Sequence, residues 1–213
     1  MKQGLTEIVC VLDRSGSMRS IVDDAIGGFN SFLTEQKKVE GEANMTVALF
    51  NSRYDLVTDN KDIKEVEDLT SRTYSPSGGT ALYDSIGRTI LDVGQRLAKT
   101  DESERPEKVI VAILTDGDEN SSNEHNAEEI KAMIEHQETK YNWQFVFLAA
   151  NQDAFEAGQQ FGMRSHNSIS FNATAKGAEN AFDNIALYST QIRNCKNLSQ
   201  DTMTSYVALK EDN

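Results

Sequence analysis

The amino-acid sequence predicts a doubly wound α/β domain, in which a mainly parallel sheet carries helices on both faces. Several short runs are apolar at almost every position, which is typical of strands buried on both faces of a parallel sheet. Segments with apolar residues at helical spacing lie between these runs, so strands and helices alternate along the chain. The 213 residues suffice for one large domain, and neither an internal repeat nor a domain-scale linker interrupts them.

The strands are predicted from apolar runs and from the turns that separate them. The segment 54–58 mixes apolar and polar residues and follows the run 45–50 after a short polar turn, so this pair predicts a hairpin ending at an edge strand. The other long runs predict parallel strands. In chain order, the predicted strands are Ile8–Leu12, Met45–Phe50, Tyr54–Thr58, Val109–Leu114, Phe145–Ala150 and Ser168–Phe171.

Five helices are predicted between and after these strands, and right-handed crossovers would place them on both faces of the sheet. The polar stretches 59–79 and 99–108 are predicted as surface loops. We interpret residues 1–197 as one domain and residues 198–213 as a tail that is docked or frayed. The helices carry apolar residues from Ile21 to Leu33, from Leu82 to Leu97, at Ile130, Met133 and Ile134, from near Asp153, and from Ala178 to Ile192.

The charge balance limits the classes of partner. Lys and Arg total 21 against 34 Asp and Glu, a formal net charge of −13, so the surface repels phosphate backbones and anionic membranes. No run approaches the roughly 18 apolar residues of a membrane span, and the first apolar run is too short for a signal peptide. We therefore expect a soluble cytoplasmic protein that binds neither nucleic acid nor membrane. Cys10 and Cys195 are expected as reduced thiols, with a disulfide between them left open.

Polar residues follow two of the buried strands directly. Asp13-Arg14-Ser15-Gly16-Ser17 comes after the first strand, and Asp116 follows the strand 109–114, while Gly78-Gly79-Thr80 opens a helix. The carboxyl ends of parallel strands form the edge where open α/β sheets bind ligands. Hydroxyl and carboxylate oxygens suit Mg²⁺ or Mn²⁺ better than Zn²⁺. The candidate metal ligands are Asp13, Ser15, Ser17, Thr80 and Asp116.

Each piece alone also fits an ordinary structural role. Asp-x-Ser can cap a helix, Gly-Gly-Thr can be a loop that ends in a cap, and Thr-Asp-Gly can be a plain turn. In this order, and at these ends of strands and helices, the three pieces together favour a cation site.

This combined pattern resembles the metal-ion-dependent adhesion site of von Willebrand factor A domains at all five positions, and the order of elements extends the resemblance over roughly residues 7–194. The resemblance implies a six-stranded sheet with one antiparallel edge strand. It also implies that Ser15 and Ser17 bind the ion directly, Thr80 directly or through water, and Asp13 and Asp116 largely through bridging waters. The chain resembles bacterial or phage-type intracellular members of the family, and their common role implies an adaptor, often beside an AAA+ ATPase or in stress or phage-related systems.

Such a site leaves one coordination position for an incoming carboxylate. The resemblance therefore implies a divalent-cation-dependent protein-binding module, not an enzyme, whose partner contributes an Asp or Glu side chain. The sequence indicates neither the partner's identity nor the oligomeric state. The loops expected to select the partner contain Arg14, Met18, Arg19, Tyr74–Pro76 and Asn120–Asn126.

Three other interpretations stay open. A Mg²⁺-dependent phosphotransferase of the haloacid dehalogenase type would use Asp13 as nucleophile, although its usual second Asp is replaced here by Ser15. A His/Cys metal site is weakly indicated, because the three histidines are scattered along the chain. In the third interpretation, the protein is a scaffold whose metal only stabilises the fold. We find neither a phosphate-binding Gly-rich loop with Lys nor a nucleophile elbow.

Overall fold

A computed structural model of the chain describes residues 1–150, 156, 162, 168–172 and 174–195. The helix predicted from near Asp153 and the tail 198–213 lie outside the described residues. The strands are β1 (Lys2–Asp13), β2 (Ala43–Phe50), β3 (Tyr54–Asp62), β4 (Pro106–Thr115), β5 (Gln144–Ala149) and β6 (Ser168–Ser170). The α-helices are α1 (Val22–Lys38), α2 (Leu82–Lys99), α3 (Ala127–Tyr141) and α4 (Ala175–Asn194).

The strands form one sheet in the order β3-β2-β1-β4-β5-β6, where β6 is only three residues long. β1 pairs in parallel with β2 and β4, and the parallel pairing continues through β5 to β6. β3 lies antiparallel to β2 at the edge of the sheet. The predicted mainly parallel sheet with an antiparallel edge strand is thereby confirmed.

Several strands extend beyond their predicted ends, and β4 begins at Pro106, so the last residues of the predicted loop 99–108 belong to the sheet. β1 begins at Lys2, whose backbone N–H donates to the Arg105 carbonyl at 2.7 Å. β3 continues to Asp62, which lies opposite Asn44, so the first residues of the predicted loop 59–79 belong to the sheet. Backbone hydrogen bonds pair these polar segments without help from an apolar side-chain pattern.

Side chains of β1 alternate between two apolar cores, one on each face of the sheet. Ile8, Cys10 and Leu12 pack with α1 and α4, whereas Val9 and Val11 pack with α2 and α3. Both faces are covered by helices, which explains why this strand is apolar at every position from Ile8 to Leu12. The doubly wound arrangement that the sequence predicted is confirmed.

The helices α1 and α4 pack closely because a glycine lies at their contact. A Cβ atom at Gly28 would come within 2.3 Å of the Phe182 ring, so any larger residue would push the ring away. Both cysteines are free thiols, as expected. Cys10 lies in the core, where burial raises the pKa of its thiol to about 12. Among the described residues, no helix has the length and apolar character that crossing a membrane requires.

Candidate metal site

The sheet brings Asp13 and Asp116 to the same edge. β1 and β4 are adjacent and parallel, with Leu12 opposite Leu114, so the residues that follow in each strand emerge side by side. Asp13 is the last residue of β1 and is fully buried, and Asp116 directly follows β4 and is 8% exposed. This is the carboxyl edge of the central parallel strands, where the direction of strand addition reverses and open α/β sheets bind ligands.

The hydroxyl groups of Ser15, Ser17 and Thr80 converge beside these carboxylates. Ser15 Oγ lies 2.9 Å from Ser17 Oγ, and Ser17 Oγ donates to Asp116 Oδ1 at 2.6 Å. A Cβ atom built on Gly117 would lie 2.9 Å from Thr80 Oγ1, 3.2 Å from Ser17 Oγ and 3.6 Å from Ser15 Oγ. The three hydroxyls therefore surround one small space in front of Gly117, a space that exists because this residue has no side chain.

Several contacts hold Asp13 in one orientation. Its Oδ1 accepts from the Ser15 backbone N–H at 2.6 Å, and its Oδ2 accepts from Thr115 Oγ1 at 2.5 Å. The Tyr74 hydroxyl donates to the Asp13 carbonyl oxygen. Both carboxylate oxygens thus have fixed hydrogen-bond donors from the chain.

Burial makes the ionised carboxylates costly in the absence of a cation. It raises the pKa of Asp13 to about 6, an effect that the hydrogen bonds from Thr115 and Ser15 oppose and the nearby charge of Asp116 reinforces. Burial also raises the pKa of Asp116, against the hydrogen bond from Ser17. Two like charges with raised pKa values at one edge fit a site whose charge a divalent cation offsets.

Two glycine-containing loops meet at the rim of the site. Gly78 has a φ of 76°, a left-handed conformation that favours glycine, and its carbonyl oxygen accepts from the Gly16 N–H at 3.0 Å. A Cβ at Gly16 would lie 3.3 Å from that same oxygen. Thr80 is bonded to the next loop, because its N–H donates to Asn120 Oδ1 at 2.9 Å and its carbonyl oxygen accepts from Asn120 N at 3.0 Å.

The structure therefore brings together all five residues that the sequence singled out. Asp13, Ser15 and Thr80 are buried, whereas Ser17 is exposed, so the site opens to solvent on the side of Ser17. Within the described part of the chain, no three His, Cys, Asp or Glu side chains lie close enough to hold a metal ion. A cation bound here would consequently depend on hydroxyl oxygens, which suit hard ions such as Mg²⁺ and Mn²⁺.

The predicted specificity loops are only partly exposed. Met18 and Tyr74 are 0% and 1% exposed, so their assignment to a partner-facing surface was wrong. Their large apolar surfaces enter the core, where burial stabilises more than exposure would. Arg14 forms an ion pair with Asp55 of β3 and is therefore engaged within the chain. The residues Arg19, Ser75, Asn120, Asn123, Glu124 and Asn126 are exposed around the site.

Sequence reasoning missed the supporting contacts of Tyr74 and Thr115. Tyr74 is an isolated aromatic residue in a polar stretch, which is a signal of a buried anchor. Thr115 closes an apolar strand and gives no such signal, because its function depends on the pairing of β4 with β1.

A comparison with protein-family models finds no match, and neither does a comparison with curated protein sequences. Solved structures do match. Proximal thread matrix protein 1 from the mussel byssus, with a zinc-occupied MIDAS motif, is similar with a TM-score of 0.61 at 16% identity, over 87% of this chain and 46% of that chain. This chain thus spans about half the length of the mussel protein.

Two further structures share the architecture. The vWF domain of the type V pili tip protein Mfa5 from Porphyromonas gingivalis has a TM-score of 0.61 at 12% identity, over 92% of this chain and 98% of that one. Manganese-loaded TRAP protein from Plasmodium vivax has a TM-score of 0.57 at 14% identity, over 84% and 73% of the respective chains. At such low identities the likeness concerns the fold alone, and this chain has the von Willebrand factor A fold.

Proposed function

We propose that this chain is a divalent-cation-dependent protein-binding module, in which Mg²⁺ or Mn²⁺ held at the site receives an Asp or Glu carboxylate from a partner protein. The observation that carries the proposal is the convergence of three hydroxyls on one space beside two buried carboxylates. A metal-occupied MIDAS motif in the mussel protein and the manganese in TRAP support a divalent cation in this fold.

The residues divide into two groups by what they would contribute. Ser15, Ser17 and Thr80 supply neutral oxygens, so they would leave most of the positive charge available to an incoming anion. Asp13 and Asp116 supply the negative charge that holds the cation in place. When bound, the cation supplies a Lewis-acidic position for one carboxylate oxygen of the partner.

The acidity of the chain constrains the partner. A net charge of −13 repels an acidic surface, whereas the proposed cation would bind one carboxylate of the partner. We expect the partner to present an acidic side chain surrounded by basic residues, and its association rate to depend on ionic strength. Arg19, in the short 3-10 helix Ser17–Ile21, and Asn123, in the loop after Asp116, are exposed and can contact that surface.

The surroundings of Asp13 favour this proposal over a phosphotransferase. A nucleophilic carboxylate needs an oxygen that can reach the substrate, whereas Asp13 is 0% exposed and both of its oxygens accept hydrogen bonds from the chain. In this proposal the carboxylate holds charge and forms no covalent bond. We assign the chain an adaptor role and no catalytic activity of its own.

Affinity capture from a lysate of the source cells tests the proposal. Wild-type protein, Ser17→Ala and the control Ser20→Ala are compared in Mg²⁺, and wild type again after chelation. Ser20 is a suitable control, because it is an exposed serine three residues away whose hydroxyl donates to the Ser17 carbonyl oxygen, at 3.3 Å. We expect a partner that wild type and Ser20→Ala retain in Mg²⁺ and that is lost with chelator and with Ser17→Ala.

Other results would contradict the proposal in distinguishable ways. If partners stay bound after chelation and in Ser17→Ala, while Mg²⁺ raises the melting temperature of wild type, the metal would be purely structural. Mg²⁺-dependent turnover of a phosphomonoester that disappears in Asp13→Asn would favour the phosphotransferase.

A further inference from the structure

The loop 117–126, which follows Asp116, crosses the N-terminus of α2, and two carboxylates join these segments in opposite directions. Glu119 of the loop accepts from the backbone N–H of Tyr83 in α2, at 3.0 Å. Asp84 of α2 accepts from three backbone N–H groups of the loop, those of Asn123, Glu124 and His125, at 2.8, 3.0 and 2.8 Å. We call Glu119 and Asp84 the carboxylate clamp.

Every carboxylate oxygen of the clamp has a donor from this chain. Glu119 Oε1 accepts from the N–H groups of Ser121 and Ser122, at 2.8 and 2.7 Å. Its Oε2 accepts from Ser122 Oγ at 2.7 Å as well as from Tyr83. Ser122 Oγ in turn accepts from the Asp84 N–H at 3.1 Å. These carboxylates satisfy the free N–H groups of a helix start and a tight loop, so they are engaged in holding the backbone.

The absence of side chains at two glycines allows the loop to lie close to α2. A Cβ at Gly87 would come within 2.4 Å of the His125 ring. A Cβ at Gly79 would come within 2.2 Å of Ser121 Oγ. Side chains of the loop therefore lie closer to the backbone of Gly79 and of α2 than a residue with a Cβ atom would permit, independently of the hydrogen bonds of the clamp.

The two joined segments carry two of the five site residues. Thr80 lies two residues before α2, and Asp116 lies directly before the loop. The clamp therefore fixes the position of the Thr80 hydroxyl relative to the Asp116 carboxylate. Without the clamp, the backbone N–H groups at the start of α2 and in the loop would hydrogen-bond to water instead. The contacts that hold Thr80 and Asp116 in a fixed relative position would then be lost.

We infer that Glu119 and Asp84 are positioning residues of the metal site, which hold the Thr80 turn and the Asp116 loop in one arrangement before a cation binds. The inference rests on the proposed function, because it assigns these residues a role in the same cation site. Mutating outer groups that orient metal ligands typically weakens metal affinity by roughly 10- to 100-fold.

Mn²⁺ binding to the whole chain tests the inference, with Glu119→Gln and Asp84→Asn compared against Asp118→Asn. Asp118 is exposed, so its substitution removes the same charge at nearly the same place and leaves the clamp intact. In Glu119→Gln, an NH₂ group would replace one oxygen that accepts two hydrogen bonds. We expect Mn²⁺ affinity, measured by electron paramagnetic resonance, to fall at least about tenfold in both clamp variants and less than about threefold in Asp118→Asn.

Water-proton relaxation supplies a readout that a merely structural role would not change. Clamp variants that still bind Mn²⁺ are expected to show more rapidly exchanging water on the ion than wild type, since Thr80 and Asp116 would be held less firmly. If wild type binds Mn²⁺ and both clamp variants match Asp118→Asn in affinity and relaxation, the inference is wrong and the proposed function stands. If wild type itself binds no Mn²⁺, both are wrong. If Glu119→Gln fails to fold, the result for Asp84→Asn decides.

Discussion

Gly117→Ala is expected to abolish cation binding while the metal-free protein stays folded. The added methyl group would lie 2.9 Å from Thr80 Oγ1 and 3.2 Å from Ser17 Oγ, in the space that the three hydroxyls surround. Mg²⁺ needs its oxygen ligands at about 2.1 Å, so the methyl group and the ion compete for one volume. We expect the Mn²⁺ affinity to fall by more than about 100-fold, beyond the usual effect of losing an outer partner.

The metal-free protein should tolerate this change. Gly117 does not have a left-handed φ, so alanine fits its backbone, and the nearest atoms belong to side chains that can move by a few tenths of an ångström. Gly27→Ala is the matched control. Gly27 lies in α1 with nothing within 4 Å of an added Cβ, and alanine there should raise stability by about 1 kcal/mol.

Titration calorimetry with Mn²⁺ and thermal unfolding in chelator measure the two effects separately. Gly27→Ala should bind Mn²⁺ as wild type does. Retention of near-wild-type affinity by a folded Gly117→Ala would show that the cation lies elsewhere, and the site proposed here would have to be abandoned.

The apolar pattern predicts most of the sheet but not its polar ends. Strands such as β1 are apolar from Ile8 to Leu12 because both faces are covered, and this burial leaves a direct mark on the sequence. The segments Lys2–Glu7 and Asp59–Asp62 join the sheet through backbone pairing. Every residue has a backbone C=O acceptor and every residue except proline has an N–H donor, so an apolar pattern does not indicate these hydrogen bonds.

A similar division applies to the candidate site. Asp13, Ser15 and Thr80 could be singled out because their oxygen-rich side chains stand at the ends of predicted elements. The contribution of Glu119 depends on which backbone N–H groups the fold brings to its carboxylate, namely those of Tyr83, Ser121 and Ser122. The ligand side chains can be recognised from local sequence. The residues that position them cannot, because their hydrogen bonds depend on tertiary contacts.

Asp13→Asn is expected to stabilise the metal-free protein at neutral pH and to remove its response to Mg²⁺. Burial raises the pKa of Asp13 in the folded state from 3.8 to about 6, so the folded state binds this proton more tightly than the unfolded state does. Ionisation of Asp13 therefore reduces the free energy of unfolding progressively as the pH rises from about 4 to about 6. A pKa difference of this size corresponds to about 3 kcal/mol above pH 6, once Asp13 is ionised.

The asparagine can keep the local hydrogen bonds. Its amide oxygen accepts from the Ser15 N–H, and its NH₂ group donates to Thr115 Oγ1, whose hydroxyl then turns to the Gly117 carbonyl oxygen 3.2 Å away. The substitution thus removes the buried charge without leaving a polar group unpaired. Any increase in the free energy of unfolding of Asp13→Asn would consequently measure how much the buried charge of Asp13 destabilises the wild-type fold.

Urea unfolding of wild type, Asp13→Asn and the exposed-site control Asp118→Asn between pH 4 and pH 8 measures this cost. In chelator, the stability of Asp13→Asn should match that of wild type near pH 4 and exceed it by about 3 kcal/mol at pH 7. Saturating Mg²⁺ should stabilise wild type and Asp118→Asn and leave Asp13→Asn unchanged, because only the first two retain the second buried carboxylate that, with Asp116, holds the cation. A pH-independent difference, or equal stabilisation of all three by Mg²⁺, would mean that the charge of Asp13 is not what a cation compensates in this fold.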